Sequence, residues 1–327
     1  MNKHLMNRLH EPIVPRRYMS KPVLFVTNDD GIEAPGIQAL ISELNIQGYP
    51  LFVLAPSTEQ SATGMRISVR KKLKVVNRQD IADKLQSNQN VPLKMYSLDG
   101  SPCDCVIAAL DGGIKMLEPD LMPTICISGV NQGPNISVDI MHSGTVSAAR
   151  ESALYGLPSI AVSLATYEHS NFEYSVKGAI KVLKSCLDFL PLVPSDFLRK
   201  NGSKFPISSN SDSESIRKNF ADGNIFLNLN APVKWNGKFS TVSLGSRWYR
   251  NAIKSHELDD GSMAFEVGAA EIIEEDIPNS DCFSVNLGEY AISPLSSWPV
   301  NHPLGVTRDI LDAATISDEN GFPLWLN

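Results

Sequence analysis

No stretch of this 327-residue chain approaches the ~20 consecutive apolar residues that a membrane-crossing helix requires. The opening segment, MNKHLMNRLHEPIVPRRYMSKP, has no hydrophobic secretory core either. Five cysteines, an odd number in a chain this long, do not make a disulfide framework, so a reducing, cytoplasmic setting is expected. A surplus of positive charge is also missing. With 29 Lys and Arg against 36 Asp and Glu, the net charge is −7, which argues against a nucleic-acid polymer as the main partner. A small anion held in a local pocket is compatible with that balance. There is no G-x-S-x-G elbow, no G-x-x-x-x-G-K-[ST] loop, no G-x-G-x-x-G fingerprint and no internal repeat. The remainder is an ordinary soluble composition, 43% hydrophobic and 20% charged, long enough for one large α/β domain or two smaller ones.

The first half alternates strand-like and helix-like segments, the pattern of a mostly parallel sheet covered by helices. VLFVTN from Val23 is a buried-strand run. Pro35 then suits a helix start, and Ile37, Leu40, Ile41 and Leu44 form an apolar stripe at helical spacing. PLFVLAP, VPLKMYSLDG, TICISG and SIAVSLA follow as strands, with helices after Pro102 and through SGTVSAARESALYG. In GSPCDCV, Ser101 reads as a helix N-cap and Pro102 as the first helical residue. The C-x-C of Cys103 and Cys105 therefore puts its thiols on different helix faces, a poor metal site.

Residues 1–20 read as a flexible leader; Lys3, Arg8, Arg16, Arg17 and the adjoining Lys21, against Glu11 alone, leave an organelle transit peptide as the alternative. Residues 21–194 form the α/β core, and residues 195–223, rich in Ser, Asn and Asp, show no apolar periodicity and read as a polar insertion or linker. Residues 224–327 form a β-rich C-terminal portion, with NIFLNLNAPV, MAFEVGAAEIIEE and LGEYAISPLSSWP as strands.

The chemistry concentrates where strands end. Asp29 and Asp30 follow the first strand directly, although aspartate is a poor strand residue and adjacent like charges repel. Gly31 lets the backbone turn there, so both carboxylates can reach one point beyond the strand, where oxygen ligands suit Mg²⁺ or Mn²⁺. The competing reading has one aspartate capping the next helix and the other solvated. In an open parallel sheet, ligands bind outside the carboxyl ends of the strands. The second strand delivers the hydroxyl-rich loop STEQSATG there, and a later one delivers SGVNQGPN with Asn131 and Asn135. The MHSGTV segment places Ser143 and Thr145 at a helix N-terminus, which favours a phosphate. Two acids, several hydroxyls, two asparagines and an anion-receptive helix end point to metal-assisted chemistry on a phosphate ester.

In order and spacing, TNDDGIEAPGIQAL, APSTEQSATG, GSPCDCV, SGVNQGPN and DIMHSGTVSAARESALYGLPSIAVS resemble the SurE family of metal-dependent phosphatases acting on nucleotides. The likeness covers most of residues 23–164 and continues weakly in FLNLNAP and GEYAISPLS. It implies a Rossmann-like three-layer core whose C-terminal portion exchanges elements between subunits, as homodimers or homotetramers. It also implies a divalent cation held by Asp29, Asp30, Ser61 and Asn131, with Asp29, Asp30 and Asn131 as the catalytic set. The family's phosphate-binding region aligns with Asn135, Ser143, Gly144 and Thr145. The implied reaction is hydrolysis of a 5′- or 3′-nucleoside monophosphate by an activated water; the alternative is a silent nucleotide- or metal-binding module. The longer leader, the Ser-rich stretch, SPLSSWP in place of a Thr-Pro-Ile or Thr-Pro-Leu turn, and the last thirty or so residues depart from the family pattern.

Other features leave two readings each. Haloacid-dehalogenase-type phosphatases separate their two aspartates by one residue, whereas Asn28, Asp29 and Asp30 are consecutive here. His142, beside the phosphate loop, is an acid or a packing group. Arg247, Trp248, Tyr249 and Arg250 are a base-stacking cluster or an interface anchor. His4, His10, His169, His256 and His302 show no ligand spacing.

Overall fold

A computed structural model of the chain describes residues 21–168, 171–192, 210–268 and 271–327. The leader, residues 1–20, and residues 195–209 of the polar insertion lie outside the described residues. The strands in chain order are β1 (Val23–Thr27), β2 (Leu51–Pro56), β3 (Val75–Asn77), β4 (Leu93–Leu98), β5 (Pro123–Gln132), β6 (Ser159–Leu164), β7 (Ile225–Ala231), β8 (Phe239–Thr241), β9 (Ser246–Arg250), β10 (Ile253–Glu257), β11 (Met263–Val267), β12 (Glu271–Glu275) and β13 (Tyr290–Ser296). The α-helices are α1 (Pro35–Ile46), α2 (Gln79–Leu85), α3 (Pro102–Ala108), α4 (Ile114–Leu117), α5 (Gly144–Leu154), α6 (Glu173–Leu187), α7 (Ser213–Ala221), α8 (Asp281–Asn286) and α9 (Arg308–Ala314).

One sheet runs β3-β4-β2-β1-β5-β6-β7-β13-β8. The block from β4 to β7 is parallel throughout. Strand alternation sorts the core into layers. Leu24, Val26, Val53, Ile127, Val162 and Leu229 face α1 and α6 in one cluster, while Phe25, Phe52, Leu54 and Cys126 face the side of α3. Ala161 and Phe226 meet Val146, Ala149 and Ala153 of α5. This is the expected three-layer α/β core with a mostly parallel sheet. Ser101 and Asp104 form a reciprocal capping box on α3, and Cys103 and Cys105 are both buried. No helix among the described residues is long and apolar enough to cross a membrane.

The C-terminal portion does not form a second sheet of its own kind. Strands β7, β13 and β8 extend the core sheet, with β13 antiparallel to β7. Pro294 fits within β13 because β8 pairs only with Tyr290–Ile292, so no neighbour on that side needs its missing N–H. Beyond the sheet, β9 with β12 and β10 with β11 form two-stranded antiparallel ribbons. Strand β3 was not anticipated; its three residues are exposed at the sheet edge and carry no burial pattern.

One reading of the chain needs correction, and one gap is filled. The end of the polar stretch 195–223 is a helix, α7, capped by Asp212, which accepts from the Ser215 amide. Its two buried apolar residues, Ile216 and Phe220, sit one helical turn apart, too few to show as periodicity in sequence. The last residues, unplaced by pattern, complete the core. Phe220 packs against Trp325 at 5.6 Å between ring centroids and against Phe189 at 6.1 Å. The indole N–H of Trp325 donates to the Ala314 carbonyl of α9 at 3.1 Å. Trp325→Ala should therefore destabilise the protein by ~3–5 kcal/mol, the usual loss for a large buried aromatic. Urea unfolding measures it; a loss below ~1 kcal/mol would mean that the tail does not belong to the core.

Candidate active site

Strand β1 ends in a turn that buries polar atoms. The Asn28 side-chain amide donates to the Gly31 carbonyl at 2.9 Å, and Gly31 adopts φ +98°. Glu59 and its neighbours are fastened to this turn from β2, because the Gln60 amide donates to the Asp29 carbonyl at 2.7 Å. Neither aspartate caps α1, whose N-cap is Ala34 with no side-chain bond.

Asp29 instead points at the start of α5. It is 4% exposed, and Thr145 donates its hydroxyl to the Asp29 carboxylate. The Gly144 and Thr145 amides also stabilise that carboxylate. Only glycine fits at 144: a Cβ there would stand 2.7 Å from Asp29 Cβ and 2.8 Å from Oδ2. Burial nonetheless raises the Asp29 carboxyl above its ordinary range, with these donors opposing the shift. Asp30 is half-buried and accepts from the Gln132 amide at 3.2 Å. Its carboxyl is pushed up to about 7, first by burial and then by the neighbouring charge of Asp29.

A cleft of about 420 Å³ opens beside Asp30, lined also by Glu59, Ser61, Gln132, Pro35, Tyr167 and Phe172. Ser61 is exposed and donates to Glu59 at 2.8 Å. Its loop is braced from behind, since Ser101 donates to the Arg66 carbonyl at 2.5 Å and Asp104 accepts from the Ser68 amide at 2.8 Å. GSPCDCV thus supports the Ser61 loop. A register shift in β5 between Ser128 and Asn131 re-aims the strand end. The Asn131 amide donates to the Gly133 carbonyl at 2.8 Å, which assigns Oδ1 the acceptor role.

The structure therefore joins Asp30 and Ser61 at one cleft, with Asp29 beside Asp30 and Asn131 next to Gln132. The expected phosphate-binding residues lie deeper. The Ser143 hydroxyl accepts from the Val146 amide as the α5 N-cap. Gly144 and Thr145 form the socket of Asp29. Asn135 is 5% exposed and tied to the sheet: its amide donates to Asn230 at 2.9 Å, its side chain to Ser163 at 2.8 Å, and its carbonyl accepts from Asn228 and Asn230. The His142 side chain is exposed, and its carbonyl accepts from Gly64. Arg247 bridges Asp139 and Glu274, and the Tyr249 hydroxyl donates to Asp139; these two are engaged within the chain, while Trp248 is exposed. Sequence reasoning overlooked Glu59, Gln132, Tyr167 and Phe172. Tyr167 follows β6, so the strand-end rule already pointed at its loop.

A hard divalent cation suits this donor set. Two carboxylates, a hydroxyl and an amide oxygen are all oxygen ligands, and Asn28 Oδ1 is buried nearby in sequence without a hydrogen-bond partner. No group of three or more His, Cys, Asp or Glu suited to a metal occurs among the described residues.

Comparison with known proteins gives the same family throughout. The family model "Survival protein SurE" matches residues 24–256. A protein of Heliobacterium modesticaldum named 5′-nucleotidase SurE is 33% identical over 282 residues, covering 86% of this chain and 88% of its own. One of the same name from Pelotomaculum thermopropionicum is 31% identical over 273 residues, covering 83% and 88%. The crystal structure of the SurE protein from Aquifex aeolicus superposes with a TM-score of 0.60 at 25% identity, covering 86% of this chain and 95% of that one.

The socket makes a stability prediction. Alanine in place of a helical glycine normally gains ~0.5–1 kcal/mol, whereas an unaccommodated methyl costs ~1–3 kcal/mol. At Gly144 the clash should win, so Gly144→Ala should lower the urea-unfolding stability. A gain in stability would show that Asp29 does not press on α5.

Proposed function

The chain belongs to the SurE family, and from that premise we propose that it is a divalent-cation-dependent phosphomonoesterase acting on nucleoside monophosphates. The supporting observation is the Asp29–Asp30 pair, one carboxylate seated in the α5 socket and the other facing a cleft of nucleotide-compatible size. Asp29, Asp30, Ser61 and Asn131 would hold the ion, either Mg²⁺ or Mn²⁺. Such a cation supplies positive charge to a phosphate ester and acidity to an attacking water.

The chain's own residues have separable tasks in this reading. Asp29 is fixed: Thr145 and the α5 amides hold its rotamer, so it orients what it binds. Asp30, the more accessible acid, is the one placed to accept a proton in the cleft. The Gln132 amide keeps Asp30 aimed, and Glu59 orients the Ser61 hydroxyl. Ser143, Gly144 and Thr145 act on the phosphate through the field of the α5 N-terminus, whose first amides already serve Asp29. Asn135 positions the loop between β5 and α5.

The assembly we assign is a homodimer or homotetramer. Its support is the ribbon from β9 to β12, which exposes Trp248, Phe265 and Val267 at 62%, 65% and 80%. All five cysteines are free and buried, and we place the protein in the cytoplasm.

Phosphate release from a panel of 5′- and 3′-nucleoside monophosphates tests the reading, with EDTA and with Mg²⁺ or Mn²⁺ restored. Release should require the metal, and Asp30→Asn should lower kcat/KM by at least about 10²-fold. Full activity in EDTA or in the variant would refute the scheme; no release from folded protein with any metal would assign the cleft to binding alone. Thr145→Val keeps the shape of the socket and removes its hydroxyl. Mn²⁺ affinity, followed by electron paramagnetic resonance, should fall ~10–100-fold, as for other residues that orient a ligand; unchanged affinity would separate Asp29 from the metal.

A further inference from the structure

The cleft beside Asp30 is lined by aromatic rings as well as polar groups, and the reaction chemistry uses only the polar groups. Tyr167, in the short loop after β6, lines it together with Phe172 and Pro35. Its ring rests on the backbone of Gly133: a Cβ there would come within 2.4 Å of Tyr167 Cε1, 2.9 Å of Cδ1 and 3.1 Å of Cζ. A side chain at 133 would thus displace the ring. The loop is held at several points. The Gln132 side chain donates to the Tyr167 carbonyl at 3.1 Å, the Ala165 amide donates to the Ala231 carbonyl at 2.9 Å, and the Glu168 amide donates to the Thr166 hydroxyl at 3.1 Å.

Despite that anchoring, Tyr167 remains 62% exposed. A tyrosine recruited for packing buries its ring, since the ring supplies most of its hydrophobic gain. Here part of the ring covers a glycine, while the residue is mostly exposed and lines a ligand-sized cleft. Gln132 ties the polar and aromatic groups together, with its amide on Asp30 and its side chain on the Tyr167 loop. The ring is therefore set at a fixed offset from the acid.

We propose that Tyr167 is the platform on which the base of a bound nucleoside monophosphate stacks, and that it determines the preference for nucleotides over phosphate esters lacking a base. The inference rests on the phosphomonoesterase reading above and adds the base subsite to it. Stacking uses the π face that every base presents, so the platform accepts purines and pyrimidines alike. Substrate reaches the cleft with its phosphate toward Asp30 and its base over the ring. The tyrosine hydroxyl has no part in this contact.

The test compares AMP with ribose 5-phosphate in the full-length protein carrying Tyr167→Ala or Tyr167→Phe. A base–aromatic stack of ordinary strength corresponds to about five- to a hundredfold in affinity. Tyr167→Ala should raise KM for AMP by about tenfold or more while kcat stays within about twofold. Its kcat/KM for ribose 5-phosphate should match the unsubstituted protein, and Tyr167→Phe should behave like the unsubstituted protein on both compounds. An unchanged KM for AMP, or equal losses on both substrates, would overturn the platform. Saturation-transfer NMR with AMP in EDTA reads the same contact without turnover: transfer to the adenine protons should be present in the unsubstituted protein and lost in Tyr167→Ala. If neither compound is hydrolysed, the phosphomonoesterase reading fails while the NMR comparison still decides the platform, and equal transfer in both proteins would overturn it.

Discussion

Burying one carboxylate at the end of β1 is the constraint around which this cleft is built. A charge removed from water is expensive unless donors replace its hydration. Asp29 receives them from Thr145 and the first amides of α5, so the helix must start directly over the strand end. That placement requires glycine at 144 and an N-cap at 143, and both are present. Asp30 is then left beside a buried like charge, half-buried itself, with its carboxyl pushed to about 7. A divalent cation held by the pair would relieve both the burial and the repulsion.

The same constraint explains why the C-terminal half braces the loop that leads into α5. The loop leading into α5 carries its own buried polar atoms, and the chain beyond β6 satisfies them. Asn228 and Asn230 of β7 hold Asn135. Asp281 of α8 accepts from the Ser137 amide at 2.9 Å and the Gly245 amide at 2.7 Å. Arg247 and Tyr249 of β9 meet Asp139, whose carbonyl in turn accepts from the Ser143 amide at 2.9 Å. A polar seam therefore runs from the base of the exposed ribbon to the cap of α5.

Much of this was legible in the sequence because it follows from local rules. The buried run before Asp29, the stripe from Ile37 to Leu44, the Ser101 cap and the strand-end loops each have short-range signatures. What was not legible depends on tertiary partners. Helix α7 buries only two apolar side chains, Ile216 and Phe220, beside the polar Ser215 and Asn219, and Trp325 finds its place through rings distant in sequence. The sequence placed Ser143, Gly144 and Thr145 at a helix N-terminus, yet the direct engagement of Asp29 by Gly144 and Thr145 is a three-dimensional fact that no spacing encodes. Arg247 and Tyr249 resembled a surface cluster for the same reason, since Asp139 lies over a hundred positions away.

The central claim is that Asp29 and Asp30 sit together to hold a divalent cation. Crystals soaked in Mn²⁺ and measured for anomalous scattering test it most directly. The account predicts a peak at the end of β1, with oxygens of Asp29, Asp30, Ser61 and Asn131 within about 2.0–2.3 Å. A map without a peak there at saturating Mn²⁺, or with the ion bound elsewhere, would contradict it.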